Sequence, residues 1–163
     1  MTPNIEAILA SLDRAPSLLR NLVDEMPPAL RKRRRRPEKW SLHEHACHLA
    51  VAQDLFEQRL DQMLAHDHPV IHPYQPHEDD APDRLLAMDL DATLARFEAD
   101  RKRLVERLRL LAPAQWQRSA QHAEYSRYTV FIMFRHLALH DMLHMYRMEE
   151  LLLEPAWSAS PDP

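Results

Sequence analysis

Glycine is absent from the sequence, which has 163 residues, although average usage would supply roughly eleven. Its absence excludes the glycine-rich loops that bind phosphate in nucleotide-binding proteins, and the glycine-flanked turn that carries the serine nucleophile of many hydrolases. It also disfavours a fold rich in β-hairpins, because their tight turns depend on glycine. The chain has 13 prolines instead, and we therefore expect helices that are separated at proline residues.

Cysteine is rare, and long apolar runs and a strong net charge are missing. The single cysteine, Cys47, excludes an internal disulfide and a cysteine-rich zinc site, and we expect it to pack in the core. No apolar run approaches the roughly 18–20 residues that span a bilayer, and the first residues lack the features of a signal peptide, so we expect a cytoplasmic protein. The formal net charge of −4 argues against a domain that binds polyanions.

Length and patterning predict one domain over residues 1–154, followed by a flexible tail at 155–163. Within the domain, apolar residues recur at helical spacing in four segments. We expect the first helix to begin with Thr2 as its N-cap and Pro3 in its first turn. Because proline lacks the backbone N–H that a helix interior needs, we also expect a break or kink at Pro16.

The other three helices have clear start signals or uninterrupted patterns. The second runs from about 40 to 65 and begins with a capping box formed by Ser41 and Glu44. The third covers about 90 to 111, and the fourth runs from about 129 to 153. Four helices with one apolar stripe each predict an all-α four-helix bundle. The second and third helices are joined by a connection that is long enough to let them run parallel.

The 11 histidines are the strongest functional signal. His140 and His144 lie four residues apart on the last helix, so they project from adjacent turns of one face. Two histidines at this spacing on one helix can bind the same metal ion. A third ligand has to come from another helix, where His48 is best placed and His45 is the reserve. A single helical histidine is more often a buried ring with one hydrogen-bond partner, but the spaced pair favours metal binding.

Several charged residues have two interpretations. Arg101 interrupts the apolar stripe of the third helix, so it either extends to the edge of the bundle or faces an anionic ligand inside it. Asp54 and Asp141 either orient an imidazole or are solvated surface charges. The six consecutive cations at 31–36 either bind nucleic acid or form a solvated linker. The linker is favoured, because the run lacks aromatic residues and the domain is acidic.

Three segments together resemble the DinB-like superfamily. They are KWSLHEHACHL at 39–49, HAEYSRYT at 122–129 and HLALHDMLH at 136–144. The resemblance extends over roughly residues 5–152. It departs from the family pattern at Ser126 and Tyr146, where glycine is usual, and at Arg147, where glutamine is usual.

The resemblance implies a four-helix bundle of up-down-down-up topology. It also implies a divalent metal ion, zinc or nickel, that is bound by His48, His140 and His144. Members of this family are frequently dimers, and some are thiol S-transferases or metal-dependent hydrolases. The resemblance therefore implies a homodimer that acts on a small-molecule substrate such as a low-molecular-weight thiol.

Three histidine ligands leave an open position on the metal, which is typical of a catalytic site. The cation would activate water or a thiol as the nucleophile. The candidate catalytic residues are His122, Asp54 and Tyr125. The candidate substrate-binding residues are Arg101, Tyr146 and Arg147. The sequence thus supports the hypothesis of a metal-dependent hydrolase or thiol S-transferase. The alternative is a bundle in which the metal only links two helices, and a nucleic-acid-binding protein ranks third.

Overall fold

The structure, a computed structural model, describes residues 4–73 and 83–153 of the chain. Four long helices dominate it, as the sequence predicts: α1 (Ile5–Glu25), α2 (Leu42–Ala65), α4 (Leu90–Arg109) and α6 (Val130–Leu152). The shorter elements are a 3-10 turn (Pro28–Leu30), β1 (Val70–Ile71), α3 (Arg84–Ala87), α5 (Pro113–Trp116) and β2 (Gln121–His122). The strands β1 and β2, which the sequence analysis does not predict, form a small parallel pair. The fold class is confirmed as a four-helix bundle.

Two core clusters, one near each end of the bundle, reveal the directions of the helices. In the first cluster, residues from the starts of α1 and α6, such as Leu12 and Phe134, pack with residues from the ends of α2 and α4, such as Leu60 and Leu108. In the second cluster, the ends of α1 and α6 pack with the starts of α2 and α4. Because α1 and α6 run in one direction and α2 and α4 in the other, the up-down-down-up topology is confirmed.

Helices that follow one another in the chain are not always neighbours in space. Both α1 and α2 pack extensively against α4 and against α6, but only slightly against each other, so α1 and α2 lie on a diagonal of the bundle. The long connection between α2 and α4 contains β1 and α3. This arrangement places α2 beside α6, with the two helices antiparallel, and these are the helices that carry the predicted metal ligands.

The start of α1 differs from the sequence prediction. The N-cap of α1 is Asn4, whose side chain accepts a hydrogen bond from the backbone N–H of Ala7, so the prediction of Thr2 as the N-cap is wrong. Thr2 itself and the predicted tail at 155–163 lie outside the described residues. In the described part of the chain, no helix combines the length and the hydropathy that a membrane span requires.

The capping box of α2 is present and is larger than predicted. Ser41 and Glu44 exchange the expected side-chain-to-backbone hydrogen bonds. Arg34, from the run of six cations, donates to the Glu44 carboxylate with Nε 2.9 Å from Oε2, and it also pairs with Asp83 at the start of α3. Arg31 donates to the backbone carbonyl of Met26. The prediction of a solvated linker is therefore wrong for these arginines, because buried acceptors hold them against the bundle.

Of the predicted break or kink at Pro16, the break is wrong, because helix α1 continues through this residue. Because Pro16 has no N–H, the carbonyl of Leu12 one turn earlier has no partner within the helix. Arg101 on α4 supplies that partner, since its Nη1 lies 3.3 Å from the Leu12 oxygen. A side chain from another helix thus satisfies the carbonyl that the proline leaves unpaired.

Arg101 lies in the centre of the bundle, 1% exposed. Its guanidinium donates to Asp141 on α6 (Nη1 to Oδ2, 2.5 Å) and to Gln53 on α2 (Nε to Oε1, 2.6 Å), in addition to Leu12 on α1. The prediction that Arg101 extends to the bundle edge is wrong, and its partners are groups of the protein. Asp141, equally buried, is neither a surface charge nor a partner of an imidazole, because it is the counter-ion of Arg101. One guanidinium therefore links all four long helices.

We predict that Asp141→Ala destabilises the fold by about 3–5 kcal/mol, because it leaves a buried guanidinium without its counter-ion. Urea denaturation at neutral pH measures the loss. The control is Asp61→Ala, which removes the partner of Arg107 from an exposed ion pair and is expected to cost less than about 1 kcal/mol. Equal losses in the two variants would contradict a structural role for the buried pair.

Candidate metal centre

Three histidine side chains converge where α2 and α6 pack against each other. One ring nitrogen from each of His48, His140 and His144 lies within 4.8 Å of the other two. His140 and His144 are one helical turn apart on α6, and their ring centroids are 4.5 Å apart. His48 approaches both from α2, with centroid distances of 5.1 Å to His140 and 4.5 Å to His144. The structure thus brings together the three residues that the sequence analysis proposes.

The spacing of these nitrogens fits a shared cation. Two ligands bound to one tetrahedral ion at 2.0–2.1 Å lie roughly 3.3 Å apart, and the Nε2 atoms of His48 and His140 are 3.1 Å apart. Since no pair exceeds 4.8 Å, the third ring needs to move by at most roughly 1.5 Å to complete a tetrahedral set. Side-chain rotation can supply a shift of this size without a change in the helices.

The chemistry of the cluster also fits a metal ion. The Nε2 of His140 faces that of His48, a contact in which two basic nitrogens share at most one proton. Ligand sets made only of imidazole nitrogens suit Zn²⁺ or Ni²⁺ rather than Mg²⁺ or Ca²⁺.

Burial keeps the rings of His140 and His144 neutral. It is the main cause that lowers the pKa of His140 to about 4, and the nearby His136 and Arg101 lower it further. It also lowers the pKa of His144 to about 2, to which the neighbouring histidines contribute. Because metal ions bind unprotonated imidazole, the site is prepared for a cation at neutral pH.

His45 and Trp40 border the cluster. His45 Nδ1 lies 2.9 Å from His144 Nδ1, and burial lowers the pKa of His45 to about 4, so one neutral ring donates to the other. His45 is not one of the three residues whose nitrogens converge. It therefore orients His144, which differs from the reserve-ligand role that the sequence suggests. Trp40 stacks on His144 with a centroid distance of 5.8 Å.

A cavity of about 230 Å³ opens beside the cluster. His48 and His140 contribute to its lining, and so do Arg59, Tyr128 and His122. Apolar residues of α2 between positions 48 and 59 complete one wall. A small molecule in this cavity would therefore contact two of the three converging histidines directly.

A comparison with protein families matches residues 11–148 to the DinB superfamily. The chain belongs to the DinB superfamily. Among solved structures, YfiT from Bacillus subtilis has a similar fold, with a TM-score of 0.80 and 21% sequence identity over 90% of this chain and 84% of YfiT. YfiT is described as a probable metal-dependent hydrolase with an unusual four-helix bundle topology. A comparison with curated protein sequences finds no match.

The candidate catalytic residues of this DinB-superfamily chain lie in different places. His122 and Tyr125 both line the cavity, and their ring centroids are 4.6 Å apart. His122 Nδ1 accepts a hydrogen bond from the backbone N–H of Glu124 at 3.1 Å, so the neutral ring carries its proton on Nε2. Asp54 is not part of the cavity lining. Its half-exposed carboxylate pairs with Arg96.

None of the three candidate substrate-binding residues of this DinB-superfamily chain lines the cavity, and Arg101 instead binds protein groups in the centre of the bundle. Tyr146 is 62% exposed on α6. Arg147 pairs with Glu150 and lines a separate, shallow surface hollow. Cys47 packs in the core as predicted, and burial raises the pKa of its thiol to about 11, so the thiol is not a nucleophile at neutral pH.

Sequence reasoning missed Arg59, although a signal for it was present. Arg59 follows His48, Ala52 and Leu55 at spacings of four, three and four residues, which keeps all four on one helical face. The structure confirms that they line one cavity. Tyr128 was missed as well, and its hydroxyl lies 3.3 Å from the Arg59 guanidinium.

We predict that His140→Ala and His144→Ala each abolish stoichiometric binding of Zn²⁺ or Ni²⁺, because each removes one of only three ligands. Elemental analysis after metal loading and gel filtration measures the bound metal. The control is His66→Ala, which changes an exposed histidine at the end of α2 and is expected to leave metal content unchanged. Full metal retention in both site variants would rule out the assignment.

We also predict that the metal-free protein loses stability as the pH falls from 6.5 towards 4. The unfolded histidines take up protons near 6.5, whereas burial holds the pKa of His45 and His140 at about 4 in the folded protein. In this window the unfolded state binds more protons, so acid favours unfolding. Urea midpoints at several pH values measure the effect. His140→Leu should flatten the profile and His66→Ala should not, whereas a wild-type profile with no slope in this window would contradict the account.

Proposed function

We propose that the protein is a metal-dependent enzyme in which His48, His140 and His144 bind Zn²⁺ or Ni²⁺ and a water molecule or a low-molecular-weight thiol is the nucleophile. The observation that carries this proposal is the position of the three converging nitrogens at the wall of a small cavity. A closed structural site is enclosed by protein ligands, whereas a catalytic site keeps a coordination position open to solvent or substrate.

When bound, the cation would supply the positive charge that favours the deprotonated form of water or a thiol near neutral pH. The protein's own residues then have distinct tasks. His45 orients the His144 ring through the contact between their Nδ1 atoms, a kind of support that metal-binding histidines usually have. The apolar wall of α2 and the small volume of the cavity favour a small substrate with an apolar part.

His122 is the best-placed candidate for proton transfer in this scheme. It lines the same cavity as His48 and His140. Its Nδ1 accepts the Glu124 N–H, so its Nε2 is the atom that can donate or take up a proton. Burial lowers the pKa of His122, with Arg59 as a second cause, and the ring is therefore neutral at pH 7. Tyr125 packs on the His122 ring and acts as a positioning residue.

Hydrolysis and thiol transfer both remain within this proposal, because they require the same activated nucleophile. The description of YfiT as a probable metal-dependent hydrolase supports the first. The second candidate function is a bundle in which the ion only links α2 to α6. The cavity beside the histidines disfavours this role, since a purely structural ion does not need access to a small molecule.

A homodimer and a cytoplasmic location stay predictions. For the dimer, α6 offers an outward-facing group of exposed apolar side chains formed by Leu139, Met142 and Leu143. Exposed apolar residues that cluster on one helix face are typical of surfaces that associate.

We predict that protein loaded with Co²⁺, a spectroscopic substitute for zinc, gains a sulfur-to-cobalt charge-transfer band when 2-mercaptoethanol is added. The band is expected because the cavity gives the thiol access to an open coordination position. Ala52→Leu, which fills the cavity wall, should weaken thiol binding while the cobalt content stays unchanged. The control is Ala65→Leu at the exposed end of α2. A cobalt spectrum that no thiol alters would favour the ion that only links helices.

A further inference from the structure

The cavity beside the histidines contains a buried cation for which the described residues provide no counter-ion. Arg59 lies on α2 and is 8% exposed. Its guanidinium donates to the Tyr128 hydroxyl (Nη1, 3.3 Å) and to the backbone carbonyl of His72 (Nη2, 2.8 Å). Both acceptors are neutral, and in the described part of the chain no carboxylate pairs with Arg59.

The other buried arginine shows what is missing at Arg59. Arg101 has a carboxylate, Asp141, at 2.5 Å, and this carboxylate offsets much of the desolvation penalty of the guanidinium. A buried charge without such a partner is unfavourable unless a ligand supplies the opposite charge. Arg59 differs from Arg101 in one further respect, because it lines a cavity large enough for a small molecule.

The groups around Arg59 are hydrogen-bond donors. The Tyr128 oxygen accepts from Arg59, so its own O–H is free to donate, and burial raises the pKa of Tyr128 so that this proton is retained. His122 carries its proton on Nε2 because Nδ1 accepts the Glu124 N–H. Glu124 is the only carboxylate in the described lining of the cavity, and it is exposed. A cation with neutral donors around it is a receptor for an anion.

The helix geometry directs Arg59 towards the histidines. Arg59 follows His48 by eleven residues, which is about 16 Å along the axis of α2. Because helical side chains lean towards the N-terminus, the long Arg59 side chain extends back towards His48. His136, which precedes His140 by one turn of the antiparallel α6, lines the space between them.

We infer that Arg59 and Tyr128 form a subsite for a carboxylate group of the substrate, with the converging histidines at the other end of the same cavity. This inference rests on the proposed function for the identity of the reacting end, and it adds the substrate class: a small molecule that carries a carboxylate several atoms away from its thiol or scissile group. A single guanidinium with neutral donors matches one negative charge, so a monoanionic carboxylate fits better than a phosphate dianion.

The test uses ω-mercaptocarboxylates of increasing chain length and, as matched probes, the primary amides of the same length. Binding to the Co²⁺-loaded protein is measured from the sulfur-to-cobalt charge-transfer band. At the best chain length, the acid is expected to bind about tenfold more tightly than its amide, because only the acid forms a charge-assisted bond with Arg59. Equal affinities of acid and amide at every length would overturn the carboxylate subsite, while the band itself would still support the proposed function.

Variants locate the effect. Arg59→Met should remove the preference for the acid and leave the affinity for the amide unchanged. Arg59→Lys keeps the positive charge and should therefore retain part of the preference for the acid. Arg96→Met, which alters an exposed arginine paired with Asp54, is the matched control and should retain the full preference. A preference that survives Arg59→Met would overturn the assignment to Arg59. Because the wild-type comparison needs no variant, a substitution that fails to fold leaves the test valid.

A second measurement separates this inference from the metal site. In the metal-free protein, the same acids and amides are compared by their effect on the melting temperature. If cobalt does not bind, the proposed function fails. The carboxylate subsite is still supported if the acid raises the melting temperature more than the amide does and this difference disappears in Arg59→Met. The absence of any such difference in the metal-free protein, together with a failure to bind cobalt, would overturn both.

Discussion

The antiparallel packing of α2 against α6 is the constraint on which the site depends. A helix can present two histidines on one face, but it cannot close a three-ligand site around an ion by itself. The up-down-down-up topology places α1 and α2 on a diagonal and leaves α2 free to lie beside α6. His48 then meets His140 and His144 across the interface. The same packing creates the cavity, because α2 lines one of its walls from His48 to Arg59.

The two buried arginines of the described residues, Arg101 and Arg59, differ in their partners and in their position relative to the cavity. Arg101 donates through Nε and Nη1 to groups from the other three long helices, one of which is the carbonyl that Pro16 leaves unpaired in α1. Its charge is compensated inside the protein and serves the fold. Among the described residues, Arg59 has neutral hydrogen-bond partners, the Tyr128 hydroxyl and the His72 carbonyl, and it lines the cavity. The two side chains have the same chemistry, but in the described part of the chain only Arg101 of the two pairs with a carboxylate, and this difference is the basis of the subsite proposed at Arg59.

Much of the fold and the centre of the site could be predicted, because both follow from local periodicity. The capping box at Ser41 and the spacing of His140 and His144 are properties of single helices. The fate of a charged residue on an apolar stripe depends on its partners in other helices, and these are distant in sequence. Neither interpretation of Arg101, at the bundle edge or facing an anionic ligand, therefore predicted its protein partners, and Arg59 was not recognised, although its spacing from His48 was visible.

X-ray absorption spectroscopy of the zinc-loaded protein tests the central claim most directly, because it reports the ligands of the ion rather than its mere presence. The account predicts three imidazole nitrogens at about 2.0–2.1 Å and one further light atom from solvent, a position that a thiol can occupy. A zinc ion with four imidazole ligands, with His45 completing the set, would contradict an open catalytic position. A zinc ion with fewer than three imidazoles would contradict the site itself.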